Sequence, residues 1–392
     1  MLLQEVLDRL EEWYPARFAD DWDAVGLVCG DPQAEVRRIL LAVDPVADVA
    51  AEALAMDADL LVCHHPLFLK AVHGVAATTP KGRVLHRLMA GGCALFTAHT
   101  NADAPAGGVS ESLALALGLA DATALEADPR PPVDKLVVFA PLDAADEVRS
   151  AITGAGAGHL GDYDSCTFST PGEGRFRPLE GANPTIGSVG EPETVEEVRI
   201  ESVVPRHLRD RVVAALLAAH PYEEPAYDVV PLAALDDPAR GSGRIGRLAE
   251  PVTLRELAER VVAVLPATAH GVRVAGDPDR RIETLALCGG AGDFLLDRAR
   301  TAGADAYLTS DLRHHPASEF REHDGPALLD VAHWAAEWTW LPVAADKLRD
   351  GVSDLGDTVE TRVSVAVTDP WTFRAGPAPS RQAQPREARS AP

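Results

Sequence analysis

The chain has 392 residues, 46% of them hydrophobic and 24% charged, a soluble globular balance that is too long for one ordinary core and predicts two domains. Its 36 lysines and arginines face 60 aspartates and glutamates, and a net charge of -24 excludes a general binder of nucleic-acid backbones. No apolar run approaches the roughly 20 residues of a membrane span, and five scattered cysteines give no disulfide framework.

The start, Met1 to Trp13, reads as an acidic amphipathic helix without the basic end or cleavage site of a signal peptide, so a cytoplasmic protein with no membrane partner is expected. Strands and helices alternate from 36 to 120: strand Val36 to Asp44, helix Val46 to Met56, strand Leu60 to Cys63, helix Lys81 to Ala90, strand Ala94 to Thr97 and helix Gly108 to Gly118. Such alternation predicts a parallel sheet with crossover helices. From about Pro131 to Pro231 the rhythm changes. Strand Lys135 to Phe139, helix Ala144 to Thr153, a glycine-rich tract, strand Glu196 to Val204, helix Arg206 to Ala219 and strand Ala226 to Val230 predict an inserted α+β domain with a βαβ-like unit.

After Pro251 the alternation resumes with helix Leu254 to Leu265, strand Glu283 to Leu287, helix Asp293 to Ala302, strands Asp305 to Thr309 and Ala327 to Val331, helix His333 to Asp346 and a late strand Arg362 to Val367. The fold class is therefore α/β. A discontinuous core domain, 1–130 plus 240–373, carries a mixed, mostly parallel sheet with flanking helices, and the insertion covers 131–232. The tail 375–392, rich in proline, arginine, serine and glutamine, is expected to be disordered.

Three apolar strands end in chemistry. Leu60 to Cys63 opens onto His64-His65-Pro66, Ala94 to Thr97 onto His99 and Asp103, and Ala327 to Val331 onto a helix carrying His333 and Glu337. On a helix, residues four apart share a face and can converge on one ion, and loops at the carboxyl ends of strands line the crevice of an open α/β sheet. His64, His65, Asp103, His333 and Glu337 are thus aimed at one region. Mixed imidazole and carboxylate ligation suits zinc, iron, manganese, cobalt or nickel rather than calcium or magnesium. Five ligands exceed the need of one tetrahedral ion, which points to two divalent metal ions activating water for hydrolysis. The bland alternative is that these are caps and turn residues.

Seven blocks in order complete the pattern: Trp22-Asp23-Ala24-Val25-Gly26-Leu27, Leu61 to Pro66, Ala98 to Asp103 with Gly107-Gly108, Gly156 to Tyr163, His220-Pro221-Tyr222-Glu223-Glu224-Pro225, Gly303 to Asp311, and His333 to Glu337. With them the chain resembles the Nif-three-like dinuclear metal centre hexameric protein family, also labelled GTP cyclohydrolase I type 2 homologues, from Leu2 to about Phe373. The resemblance implies a two-metal site on His64, His65, Asp103, His333 and Glu337, a toroidal homohexamer, a PII-like inserted domain, and a small-molecule substrate such as a nucleotide. It departs from the family at Ala24, where asparagine is common, and at Ala332, where glycine is. The expected function is a metal-dependent hydrolase; the alternative is a non-catalytic hexameric metal-binding or regulatory scaffold.

Further signals keep two readings each. His99, Asp311 and His315, with His314, are candidates for proton transfer or for orienting ligands, or are loop residues. Cys288 to Asp293 offers glycine backbone amides to a phosphate, or is a plain turn. Tyr222-Glu223-Glu224 either caps a cavity or forms a structural turn, and Trp334, Trp338 and Trp340 at helical spacing read as core rather than as a stacking platform.

Overall fold

A computed structural model describes residues 1–375, so the tail from Gly376 onward lies outside the described residues. The chain divides into two compact units, Met1–Asp128 with Pro238 onward, and Pro129–Asp237.

In the first unit a five-stranded sheet has the order Gly26–Cys29, Ala94–Thr97, Leu60–Cys63, Arg38–Ala42 and Glu360–Val363. Its last four strands are parallel and only Gly26–Cys29 runs antiparallel to its neighbour. The apolar runs Leu60–Cys63 and Ala94–Thr97 are buried throughout because this sheet is covered on both faces. Strand alternation sorts the side chains. Leu40, Leu61 and Leu95 pack against helices Ala47–Ala55 and Pro80–Ala90, while Ile39, Leu41, Val62 and Phe96 face the main core.

A second, six-stranded sheet has the order Val272–Ala275, Ala327–Val331, Ala306–Ser310, Arg281–Ala291, Asp236–Thr253 and Leu119–Pro129. Three of its strands are mutually parallel and Val272–Ala275 and Asp236–Thr253 pair antiparallel with them. Alternation in sequence leaves these two sheets undivided. They share one core, in which Ile39, Val62 and Phe96 join Leu287, Leu308 and Leu329 through Val109 and Leu113 of helix Val109–Ala116 and Leu341 and Leu348 of helix Trp340–Ser353. The strand ends at Cys63, Thr97 and Val331 therefore come from both sheets.

Helix His333 to Asp346 is corrected to two helices, His333–Trp338 and Trp340–Ser353. The break falls at Thr339, whose hydroxyl donates to the Ala336 carbonyl at 2.8 Å, and Pro342 lies in the first turn of the second helix, where its missing N–H costs nothing.

The inserted unit holds a four-stranded sheet in the order Thr167–Phe176, Glu193–Pro205, Val133–Pro141 and Tyr227–Pro231, with helices Ala145–Gly154 and Arg209–Ala219. All its neighbouring pairs are antiparallel, so Glu193–Pro205 and Tyr227–Pro231, both antiparallel to Val133–Pro141 between them, are parallel to each other and joined by helix Arg209–Ala219, a βαβ-like unit with one strand inserted. Leu136, Val138, Val148, Ile152, Ile200, Val212 and Leu216 give it a core of its own.

Candidate metal centre

Pro66 follows the two histidines just where strand Leu60–Cys63 has ended, and the backbone N–H groups of His64 and His65 donate to Ala42 and Val43, carrying the pairing two residues beyond the strand. His64 is fully buried. Its Nδ1–H donates to the Ala98 carbonyl at 2.9 Å, so that in the neutral form the ring would present its Nε2 lone pair to a cation. The other imidazoles are held in the same way, His65 Nδ1 by Asp44 at 2.7 Å, His99 Nδ1 by Asp23 at 2.8 Å and His333 Nδ1 by Asp311 at 2.7 Å. A carbonyl or carboxylate behind the ring is the support that metal-ligating histidines use to fix tautomer and orientation.

Glu337 is the buried acid that faces them. Its Oε1 lies 2.7 Å from His333 Nε2, one helical turn back on the same helix, and 3.4 Å from His64 Nε2, while its Oε2 lies 3.0 Å from His65 Nε2. Asp103 Oδ1 approaches His64 Nε2 to 3.5 Å from the end of the single turn Thr100–Asp103, a helix where the sequence reads as a polar loop. Despite these approaches, His64 Nε2 and Glu337 Oε2 have no hydrogen-bond partner. Two buried polar atoms so close to acids and imidazoles, and bonded to none, is an arrangement that a shared cation would satisfy. Ligand atoms of His64, His65 and His99 lie within 4.8 Å of one another, as do those of His65, His333 and Glu337, so both groups could hold a metal ion.

The electrostatics agree. Burial works against charge on His65 and His333, but the Glu337 charge and the hydrogen bonds these rings donate to Asp44 and Asp311 outweigh it and push them up to about 11 and about 10. Burial likewise opposes the Glu337 charge, and three imidazoles overturn it and hold the carboxyl well below its ordinary range. Asp103 is pushed up, by burial first. Without a metal, protons on the rings supply the positive charge the acids demand.

The family model described as Duf34/NIF3 (NGG1p interacting factor 3) matches residues 1–370. The chain belongs to the Duf34/NIF3 family. A Mycobacterium tuberculosis protein named GTP cyclohydrolase 1 type 2 homolog is 49% identical over 95% of this chain and 97% of its own, and a Bacillus subtilis protein of the same name is 36% identical over 94% and 98%. Among solved structures, a Bacillus cereus protein related to NIF3 superposes with a TM-score of 0.75 at 36% identity over 95% of this chain and 99% of its own. A Staphylococcus aureus protein superposes at 0.82 and 25% identity over the same shares.

In this Duf34/NIF3 chain the other expected site residues divide. His99 sits in the cluster, its ring centroid 5.1 Å from that of His64 and 5.5 Å from that of His65. Asp311 is exposed at the edge, holding His333 from a left-handed backbone with φ of 58°, a conformation aspartate tolerates better than most residues. His315 is exposed near the start of helix His314–Arg321, its ring 5.1 Å from that of His314, and its ligand atoms are not among those that converge.

Sequence reasoning gave Asp44 and Asp23 no role in the site and did not connect Gly290 with it. Asp23 also accepts from the Thr100 amide and hydroxyl; burial opposes its charge, but the bonds from His99 and Thr100 prevail and hold it well below the usual carboxylate range. Its place in the Trp22 to Leu27 block was the available signal. Gly290, read as part of a possible phosphate cradle, serves the centre instead. A β-carbon there would stand 2.7 Å from Glu337 Oε1 and 3.4 Å from His333 Nε2, and φ is 70°. Gly289 and Gly292 are likewise explained by close packing, against Val109 and against Thr309 and Tyr307, as strand Arg281–Ala291 runs through most of this tract. Among the described residues no helix is long and apolar enough to cross a membrane.

Proposed function

We propose that the centre holds two divalent metal ions and that this cytoplasmic protein is a metal-dependent hydrolase acting on a nucleotide or related compound. His64, His65, Asp103, His333 and Glu337 would hold the ions, with His99 as a further imidazole whose Nδ1 is already engaged. The observation that carries the reading is the pair of orphaned buried atoms, His64 Nε2 and Glu337 Oε2, inside a ring of imidazoles fixed from behind. Zinc, iron, manganese, cobalt and nickel all suit such donors. Two bound ions would lower the pKa of water and polarise a substrate oxygen.

The chain's own residues do the rest. Asp44, Asp23 and Asp311 orient the rings, and Asp311, exposed and bonded to His333, is placed to pass protons between the centre and solvent. The nucleotide rests on the name that relatives carry. A homohexamer with a PII-like inserted unit is the assembly the family resemblance supports.

The test is a turnover screen of metal-loaded protein against GTP, other nucleotides and phosphoesters, beside His65→Ala. Turnover reduced by about two orders of magnitude or more in the variant supports the reading. No turnover of any member, together with an Asp103→Ala variant that only lowers assembly stability, would establish the non-catalytic scaffold instead.

A further inference from the structure

The inserted unit contains a cavity of about 410 Å³, within the size range of small-molecule sites. Its half-buried lining includes the rings of Phe139, Phe176 and Tyr222 and the carboxylate of Glu197. Phe176 and Tyr222 stand with ring centroids 5.8 Å apart, tilted by 58°, so that both contribute to one aromatic wall. The Tyr222 hydroxyl donates to Glu197 Oε1 at 3.1 Å and fixes the carboxylate. Glycine at 174 leaves room for it, since a β-carbon there would meet Glu197 Oε2 at 2.2 Å.

The turn that presents Tyr222 is itself built. His220 is buried, its Nδ1 accepts the Tyr222 amide at 3.1 Å, and its Nε2–H then donates to the Phe139 carbonyl at 2.9 Å. Thr185 donates to the Pro221 carbonyl at 2.6 Å and the Asn183 amide donates to Glu223 at 2.9 Å, tying the loop after Phe176 to the same turn. The charged groups of the lining that are exposed are Arg175, which pairs with Glu173 at 2.7 Å, Arg177, Glu223 and Glu224.

A cavity lined by one carboxylate and three aromatic rings suits an organic cation, because the ring quadrupole and the acid attract the same charge. We propose that this cavity is a binding site for a small organic cation, an amine, guanidinium or quaternary ammonium compound, held by Glu197 against Phe139, Phe176 and Tyr222. Neither the metal centre nor its chemistry is needed for this binding.

Calorimetric titration of the full chain with choline, agmatine and spermidine tests it, with dimethylbutanol as the neutral isostere of choline. At least one cation should saturate one site per chain, and dimethylbutanol should not. Glu197→Gln should weaken that binding about tenfold or more while His65→Ala leaves it unchanged. If Glu197→Gln loses secondary structure by circular dichroism, Tyr222→Phe, which keeps the ring and removes the donated hydrogen bond, should weaken it several-fold. Failure of all three cations to saturate, equal affinity for the neutral isostere, or binding indifferent to the folded variant would overturn the proposal.

Discussion

Gly290 is the residue on which the geometry of the centre turns, because the Glu337 carboxylate occupies the space a side chain would need. Gly290→Ala should therefore displace Glu337 or His333 and weaken metal binding about tenfold or more, measured by competition with a chromophoric chelator. Unchanged affinity would mean that the carboxylate is not where the ion sits. The protons on the rings give a second prediction. His65 and His333, raised to about 11 and about 10, are charged in the metal-free protein at pH 8, whereas ligation needs them neutral. Metal loading should release protons, seen as a binding enthalpy that varies with the ionisation enthalpy of the buffer, and affinity should rise from pH 6 to pH 9. For the metal-free protein the sign is opposite. Raised folded-state values stabilise fully below the ordinary histidine range, and this stabilisation is lost as pH climbs through the two values. His64, His65, His333 and Glu337 were legible because they end strands or share a helix face. The inward Nε2 of His99 was not, since the Asp23 that turns its ring lies 76 residues away in sequence.

Among the elements, helix Trp340–Ser353 links the centre to the core. Trp340 is fully buried, donates to the Tyr14 hydroxyl at 3.1 Å and stacks at a tilt with its centroid 5.6 Å from that of His64. Trp340→Ala should cost about 3–5 kcal/mol in chemical denaturation and loosen the His64 ring, while Trp340→Phe should cost much less. A small loss for the alanine variant would contradict a core role for this ring. Strands rich in leucine and valine could be read from sequence because burial on both faces leaves continuous apolar runs. Thr167–Phe176 could not. Its sequence carries proline and two glycines, its side chains are mostly exposed, and it exists because its backbone pairs at the sheet edge with Glu193–Pro205. Asp236–Thr253 was hidden because its Ala239 to Gly246 stretch is glycine- and arginine-rich, and its place inside the sheet comes from pairing such as that of Arg244 with Leu287.

Over the whole molecule, discontinuity follows from the chain path, since Glu360–Val363, far along the chain and beyond the insertion, returns to pair with Arg38–Ala42. A change in the strand and helix rhythm pointed to the insertion, but the division of the core strands between two sheets needed the three-dimensional pairing. Each unit has its own apolar cluster, so a ligand of the centre should stabilise the core unit selectively. Free metal at 100 times its dissociation constant should add about 2.7 kcal/mol to that unit. Hydrogen exchange should then slow around His64, His99 and His333 and stay unchanged in Val133–Pro141. Equal slowing in both units would contradict independent cores. The most direct test is anomalous diffraction from crystals grown with a single divalent metal. Two peaks about 3.5–4 Å apart, each about 2.0–2.2 Å from Nε2 atoms among His64, His65, His99 and His333, are predicted. Crystals that show no peak among these residues, with metal bound elsewhere or not at all, would contradict the dinuclear centre.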